Sequence, residues 1–511
     1  MDFQSILFIN KEDLPMNDPL TAPIYLSDLN LDQIIDAITA SRKEYNLKPF
    51  YYKPLHTAES ITYRHEVMRD MESAALMSSI KTFSEKMAVI RRYLEMISKL
   101  DFDYHRKGWM LDAALLYCQT VTELAHSLAQ TELNSRGLLE FCLYVTDYLQ
   151  SASFQALQAD AQEVKKGLQE IKYSVIIQPG AFRVEKYEGE TDYSIEVEQT
   201  FAKFKQGAVK DYRSQLYEKS GMNHIEAKIL EFVARLHPAQ FAALDSFCEQ
   251  HPQFVDQAIR TFDREIQFYA AYLDFIAEIK QKGLTFCYPS LSSTSREIFA
   301  YEAFDLALAH SVLYTEKPVV CNDFSLHESE RIIVITGPNQ GGKTTFARMF
   351  GQLHYLASLG CPVPGNQAQL FLFDQIFVHF ERQEDIRNLR GKLQDDLVRI
   401  HEILDHASPD SILIVNEMFA STTLKDAVFL SKAIMEKITM LDLLCVWVTF
   451  MDELSSLNEK TISMVSTVVP DNPAVRTFKV VRRSADGLAY ALSIAKKHRL
   501  TFEQIKERIH Q

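Results

Sequence analysis

The stretch GPNQGGKTT, residues 337–345, constrains the fold of this chain more than any other. It follows a short apolar run, RIIVIT, and opens an apolar-periodic segment, TTFARMFGQLHYLASLG, so it reads as a glycine-rich turn between a buried strand and a helix. Its spacing is GxxxxGK[ST]. Glycines let a backbone curl until successive N–H groups face one point, and the following helix adds the positive end of its dipole. Such a cradle suits phosphate. Lys343 is placed to reach outer phosphates and the Thr344 hydroxyl to ligate Mg2+, with Gly337, Pro338, Asn339, Gly341, Gly342 and Thr345 completing the loop. A chance glycine-rich turn has no need of a strand before it and a helix after it, and both are predicted here.

A second apolar run, Ile412 to Val415, ends in Asn416 and Glu417. Nucleotide-hydrolysing folds of this type end such a strand in acids: an Asp that holds Mg2+, often through water, and a Glu that orients the attacking water. Glu417 is in place. Asn416 can accept a hydrogen bond through its carbonyl but brings no negative charge to a metal. With a third run, LLCVWVT at 443–449, these segments predict parallel strands joined by helical crossovers.

The remainder of the 511 residues is too long for one ordinary domain. From about residue 27 the apolar positions recur at helical spacing, and Gly108 is the sole glycine between 1 and 135, which favours long helices because an interior Gly costs about 1 kcal/mol against Ala. Around 172–200 the period shortens to two about Pro-Gly and Glu-Gly-Glu turns, as in a small β-element. Helices return from about 200 to 283, and residues 284–320, with Pro289 and a Ser-rich run, read as irregular. The division expected is an extension at 1–26, a helical region at 27–290 with its β insertion, a joint at 291–318 and an α/β domain at 319–511.

Composition narrows the function classes. With 47% hydrophobic and 24% charged residues the chain is globular. A net charge of −14 argues against a wholly basic nucleic-acid coat but leaves room for a local basic stripe. The basic clusters YRHEVMRD, VIRRYLEM and DYHRKGW have acidic neighbours and read as solvated helix faces, without the aromatic interleaving of single-strand binders. Seven scattered cysteines form no CxxC pair, which fits reduced thiols and a cytoplasmic protein. The N-terminus has no basic segment of a secretory signal, and no apolar run approaches the roughly 18–20 residues of a membrane span.

Several stretches together resemble the MutS mismatch-repair family. ITGPNQGGKTT is similar to its ATP-binding loop, ITGPNxGGKST; GCPVPG (360–365) resembles its G-x-x-VPA turn; and DQIFVHFERQED (374–385) resembles its D-x-IF-T/V-R stretch. VVCNDFSL (319–326) is similar to the V-x-N-D segment before the ATPase strand, and GLAYALSIAKKHRLTFEQI (487–505) to the segment ending in Ser-Tyr-Gly and a helix. The resemblance runs in order over about 319–508 and is looser over 27–317, which would be the family's lever and core helices with a clamp-like β insertion. It implies a multidomain protein: an all-α lever and core region, then an α/β ATPase domain of ABC type with a P-loop. Adenine, hence ATP, is assigned by the resemblance alone. The resemblance further implies a homodimer through the ATPase domains, double-stranded or branched DNA as partner and a downstream repair protein.

The departures carry as much information. In the family a Ser-Thr pair of one subunit closes over the partner's γ-phosphate; here NLRGKLQDD (388–396) puts Gly391 and Lys392 in that place. The family's Asp-Glu becomes Asn416–Glu417, and its Thr-His becomes Thr449–Phe450. No mismatch-reading domain with a Phe-x-Glu wedge precedes the helices, so the unstacking test of a weak base step is not expected. ATP binding with slow hydrolysis follows, with Glu417, Asn416 and Thr449 as the catalytic set and Thr344 and Asn416 as metal ligands. Two functions remain open: an ATP-gated clamp on DNA in mismatch repair or a related process, and a nucleotide-gated scaffold that holds a protein partner. A GTPase or kinase is disfavoured, since no guanine-reading Asn-Lys-x-Asp and no lid or acceptor pocket is found.

Overall fold

The computed structural model describes residues 3–9, 22–190, 222–381, 391–470, 472–485, 500–502 and 505–506. Its principal helices begin with α1 (Leu31–Thr39), α2 (Ala58–Met71), α3 (Ala74–Ile97), α4 (Asp103–Gln130), α5 (Arg136–Gln150) and α6 (Ala152–Gln169). A hairpin follows, β1 (Tyr173–Gln178) and β2 (Ala181–Lys186), then α7 (His224–Leu236), α8 (Pro238–Gln250) and α9 (Gln257–Lys280). No described helix is long and apolar enough to cross a membrane.

Two compact units are resolved. The first is built chiefly from Ser73–Leu133 and Leu139–Asp263. Its α3 buries Leu76, Ile80, Phe83, Met87 and Ile90, and α4 buries Leu111, Ala114, Cys118, Val121, Ala125 and Leu128. Both rows alternate steps of three and four residues, the spacing that keeps one seam of a helix facing a neighbour. Ser127 donates across that seam to Ser79 at 2.6 Å. The Phe141 and Phe262 rings stack nearby with centroids 3.6 Å apart. The expected Pro-Gly turn is present: Gln178 faces Ala181 in the β1–β2 register, and Gly180 takes the left-handed φ of 79° that a tight hairpin needs. The rest of the predicted insertion, 191–200, lies outside the described residues.

The second unit takes Gln4–Glu72, Asn134–Leu138 and Arg264–Gln511. Its strands are β3 (Phe286–Cys287), β4 (Ser290–Ser292), β5 (Ile298–Ala303), β6 (Asn322–Leu326), β7 (Ile332–Thr336), β8 (Val363–Pro364), β9 (Gln367–Phe371), β10 (Ile376–Phe380), β11 (Ile412–Asn416), β12 (Leu444–Val448), β13 (Thr461–Val469) and β14 (Asn472–Arg482). Three more helices intervene: α10 (Lys343–Ser358), α11 (Lys392–His406) and α12 (Leu424–Leu441).

The main sheet runs β10-β11-β12-β7-β13-β14, parallel throughout except for the last pair. Its inner strands are apolar without alternation because both faces are covered: every residue of β7 and β12 is buried, as are Ile412 to Val415 of β11. Burying each such Ile, Leu or Val is worth about 1.5–3 kcal/mol, and the shortness and β-branched content of the runs favour strand over helix. The α/β reading of the C-terminal region therefore holds. Residues 284–320 depart from expectation. Instead of being irregular they supply β3, β4 and β5, and a second sheet runs β4-β9-β5-β6. Strands of two to six residues broken by Pro289 and serines are too short to show a period of two, and they are recruited by partners distant in sequence.

The N-terminal residues are also engaged. Ser5 to Phe8 are buried in this unit. Ser5 Oγ and the Ile6 N–H donate to the Glu265 carboxylate at 2.8 and 2.9 Å, and Tyr269 donates to the Ile6 carbonyl at 2.6 Å. Arg64 of the YRHEVMRD cluster is fully buried and spans two carbonyls, Leu7 at 3.0 Å and Leu359 at 2.9 Å, so it is a structural tie and not a solvated face.

Candidate functional site

The loop between β7 and α10 is shaped by three residues with left-handed backbone: Gly337 at φ 112°, Gln340 at 60° and Gly342 at 93°. Ser466 of β13 lies against it. A Cβ on Gly337 would come within 2.8 Å of the Ser466 carbonyl oxygen, and one on Gly341 within 2.5 Å of Ser466 Oγ. Two of the motif's glycines are therefore required by the neighbouring strand as well as by the loop itself. The Gly341 N–H closes the turn onto the Pro338 carbonyl at 3.2 Å.

Lys343, the first residue of α10, is buried and its ammonium donates to the Gly337 and Pro338 carbonyls and to Asn339 Oδ1 at 3.0, 3.3 and 3.1 Å. Burial lowers its pKa from the ordinary lysine value, and the Glu417 carboxylate, with Oε1 3.9 Å from Nζ, opposes that shift. One turn position on, the Thr344 hydroxyl donates to Asn416 Oδ1 at 2.9 Å. The neighbouring order β11-β12-β7 sets this meeting, since it brings the ends of β11 and β7 to the same edge of the sheet. Thr345 is half-buried in the first turn of α10.

Glu417 sits just beyond β11 with φ 51°, and its N–H donates to the Val448 carbonyl at 3.0 Å. A non-glycine residue in that region costs of order 1–3 kcal/mol and persists only when its surroundings hold it. The structure thus brings Lys343, Thr344, Asn416 and Glu417 together. Thr449 is placed differently. It is buried at the end of β12, its N–H bonds the Ile335 carbonyl at 3.0 Å, and its hydroxyl accepts from the Met451 N–H at 3.1 Å. It shapes the turn that presents Phe450, which is 47% exposed, so the place of the family's histidine opens to solvent as an aromatic ring. Gly391 is the residue before α11, and Lys392 pairs with Glu381; residues 388–390 of the same stretch lie outside the described residues.

Three residues not named as site candidates also frame the loop. Asn322, in the VVCNDFSL stretch, accepts from the Val480 N–H at 2.7 Å and donates to the Phe478 carbonyl at 3.2 Å. Phe478 (φ 59°) is thereby held with its carbonyl oxygen 3.5 Å from where a Gly342 Cβ would lie. Arg476 Nε donates to the Asn339 carbonyl at 3.2 Å. Only the pairing of β14 with β13 brings Arg476 and Phe478 here.

The donor set fits a Mg2+-bound nucleoside triphosphate. Glycine-lined backbone, a buried ammonium at the N-terminus of a 16-residue helix, a hydroxyl and an amide oxygen in contact, and one carboxylate stand together. Residues 333–508 match the family model of MutS domain V. The match begins inside β7 and includes Lys343, Thr344, Asn416 and Glu417. It supports a MutS-like protein.

Proposed function

We propose that this MutS-like protein is a nucleotide-binding protein of DNA repair that holds ATP with Mg2+ at the β7–α10 loop, hydrolyses it slowly and uses its nucleotide state to clasp DNA. The observation that carries the reading is the contact of Thr344 with Asn416 beside Lys343 and Glu417. Lys343 would leave its three loop acceptors for the outer phosphates. Thr344 and Asn416 would hold Mg2+, which supplies charge neutralisation at the phosphates when bound. Glu417 orients the attacking water. Turnover is slow on this account for two reasons: Asn416 adds no negative charge, and Phe450 offers no imidazole. The domain division at 27–290 and 319–511, the homodimer and the contact of Gly391 and Lys392 with a partner's phosphate belong to the same proposal.

A specific observation keeps a protein partner in view. Of the basic residues quoted above, Arg91 pairs with Asp263, Arg106 and Lys107 with Asp103, and Lys107 also with Asp245, while Arg64 is buried. Arg64 is spent within the protein, and Arg91 and Lys107 are partly so, while Arg106 stays half exposed. Contact with DNA would then fall to other side chains and should be backbone-directed and salt-sensitive. Calorimetric titration of ATP with and without Mg2+, beside Lys343→Ala, tests the site. Fluorescence anisotropy of duplex and branched DNA at two salt concentrations tests the partner: nucleotide-dependent DNA binding that weakens with salt supports the clamp, and its absence transfers the proposal to a protein partner.

A further inference from the structure

A loop that turns its N–H groups inward to phosphate turns its carbonyl oxygens outward, and those oxygens need donors of their own. Between β7 and α10 three such carbonyls follow one another. Those of Gly337 and Pro338 accept from the Lys343 ammonium at 3.0 and 3.3 Å, and that of Pro338 also accepts from the Gly341 N–H at 3.2 Å. That of Asn339 accepts from Arg476 Nε at 3.2 Å, while the Asn339 side chain is held by Lys343 at 3.1 Å. A lysine that goes over to phosphate releases Gly337, Pro338 and the Asn339 side chain together. The bond from Arg476 does not involve Lys343 and outlasts that move.

Arg476 owes its position to a break in strand pairing. Ser466 faces Val480 and Val468 faces Arg476, so two steps along β13 are matched by four along β14. The surplus residues form a bulge, and Phe478 within it takes a left-handed φ of 59°. Side chains stand in for the missing ladder bonds. The Thr477 hydroxyl donates to the Thr467 carbonyl at 2.9 Å and accepts from the Lys479 N–H at 3.3 Å, and the Thr467 hydroxyl donates to the Lys479 carbonyl at 3.1 Å. From β6, Asn322 accepts from the Val480 N–H and donates to the Phe478 carbonyl, as a peptide unit of a further strand would. A left-handed residue persists where its surroundings hold it, and this one is held from both β13 and β6. The bulge brings β14 over the loop: the Phe478 carbonyl oxygen lies 3.5 Å from where a Gly342 Cβ would be. Bulges commonly re-aim side chains in this way beside active sites.

We infer that Arg476 is a positioning residue of the phosphate loop: delivered by the β14 bulge, it holds the Asn339 carbonyl outward and keeps the loop curled for phosphate when Lys343 leaves it. The inference rests on the reading of this loop as a nucleotide site. It gives the bulge a purpose, since a regular β14 would carry Arg476 in a different register against β13. The placement depends on strand pairing and not on any spacing within 337–345, which is why the glycine motif does not announce it.

The test uses the full chain with Arg476→Ala and Arg476→Lys. Hydrogen exchange of peptides covering 337–342 is followed without nucleotide, ATP with Mg2+ and inorganic tripolyphosphate are titrated by calorimetry, and urea unfolding reports global stability. Arg476→Ala is expected to speed exchange in the loop selectively and to leave the urea midpoint unchanged. It should weaken ATP and tripolyphosphate alike by about tenfold, the worth of one hydrogen bond from a charged donor. Arg476→Lys keeps the charge, and in it loop exchange and both affinities should move together. Unchanged exchange at 337–342 in Arg476→Ala overturns the inference, because any lost affinity is then charge or direct contact. A loss for ATP without one for tripolyphosphate overturns it as well, since the arginine then serves the nucleoside. So does a lowered urea midpoint that accounts for the faster exchange, or parental affinity in Arg476→Lys with loop exchange still fast. If the parent protein binds neither ligand, the nucleotide reading of the loop fails, and exchange alone then decides whether Arg476 holds it.

Discussion

Substituting Gly341 by alanine should destabilise the protein through two close contacts, of which Ser466 Oγ is the nearer. The added Cβ would lie 2.5 Å from Ser466 Oγ, 2.9 Å from the Pro338 carbonyl oxygen and 3.2 Å from Ser466 Cβ. The backbone at Gly341 is not left-handed, so the cost is steric and not conformational. Overpacking of this kind costs about 1–3 kcal/mol. Ser466 Oγ is buried and has no hydrogen-bond partner among the described residues, so Ser466→Ala removes an unsatisfied hydroxyl and should be neutral or stabilising by up to about 1 kcal/mol. The double variant should then recover at least about 1 kcal/mol of the Gly341→Ala cost, a coupling well outside the few tenths expected of independent sites. Gly337→Ala behaves otherwise. Its Cβ meets Ser466 Oγ at 2.7 Å but also the Ser466 backbone oxygen at 2.8 Å, and its φ is 112°, so Ser466→Ala should rescue it only in part. Urea denaturation of the three single and two double variants beside the parent, followed by tryptophan fluorescence of the fully buried Trp447, measures the cycles. Simple additivity of Gly341→Ala and Ser466→Ala would refute the packing argument.

Other outcomes follow from the same structure. The Glu265 carboxyl is pushed up by burial to about 7 from an ordinary 4.5. The folded chain therefore keeps a proton that the unfolded chain releases between those values, and stability should fall by about 3 kcal/mol as pH rises through that window, then level off. Glu265→Gln should flatten this part of a stability-against-pH curve; an unchanged slope would assign it to other groups. Asn416→Asp restores a negative charge 2.9 Å from the Thr344 hydroxyl and should raise Mg2+ affinity and turnover by about tenfold, the worth of one charge-assisted contact of about 1.5 kcal/mol. A variant slower than the parent would show that Asn416 is not at the metal. Arg64→Met leaves the Leu7 and Leu359 carbonyls without their donor and should cost about 2–4 kcal/mol in denaturant unfolding, whereas a cost under about 0.5 kcal/mol would mean that water replaces it.

How far the sequence discloses the site depends on the range of the interaction. RIIVIT, SILIV and LLCVWVT are legible as buried parallel strands because both faces are covered and no alternation is needed. The loop is legible because its glycines answer to local backbone geometry. Thr344 and Asn416 meet because parallel strands end at one edge, which the apolar runs and crossover helices imply, and because of the order β11-β12-β7, which only the fold supplies. By contrast, Asn322, Arg476, Phe478 and Ser466 are placed by pairings between strands distant along the chain, and Phe478 looks like any strand aromatic until its carbonyl is found over Gly342. Thr449 is read from the motif, but the acceptance of the Met451 N–H by its hydroxyl is seen only in the fold. In the charge clusters Arg69, Arg92 and Arg106 are exposed as read, whereas the burial of Arg64 and the distant carboxylate partners of Arg91 and Lys107 come from packing that no window of sequence contains.

The most direct test of the account is ATP turnover by the purified chain beside Glu417→Gln, with ATP affinity measured for both and with duplex or branched DNA present or absent. Glu417→Gln removes the carboxylate but leaves Lys343 and Thr344 in place. The account predicts tight Mg2+-dependent ATP binding in both proteins, slow turnover in the parent and loss of that turnover in the variant. Turnover that persists unchanged in Glu417→Gln, or ATP that fails to bind the parent, would contradict it.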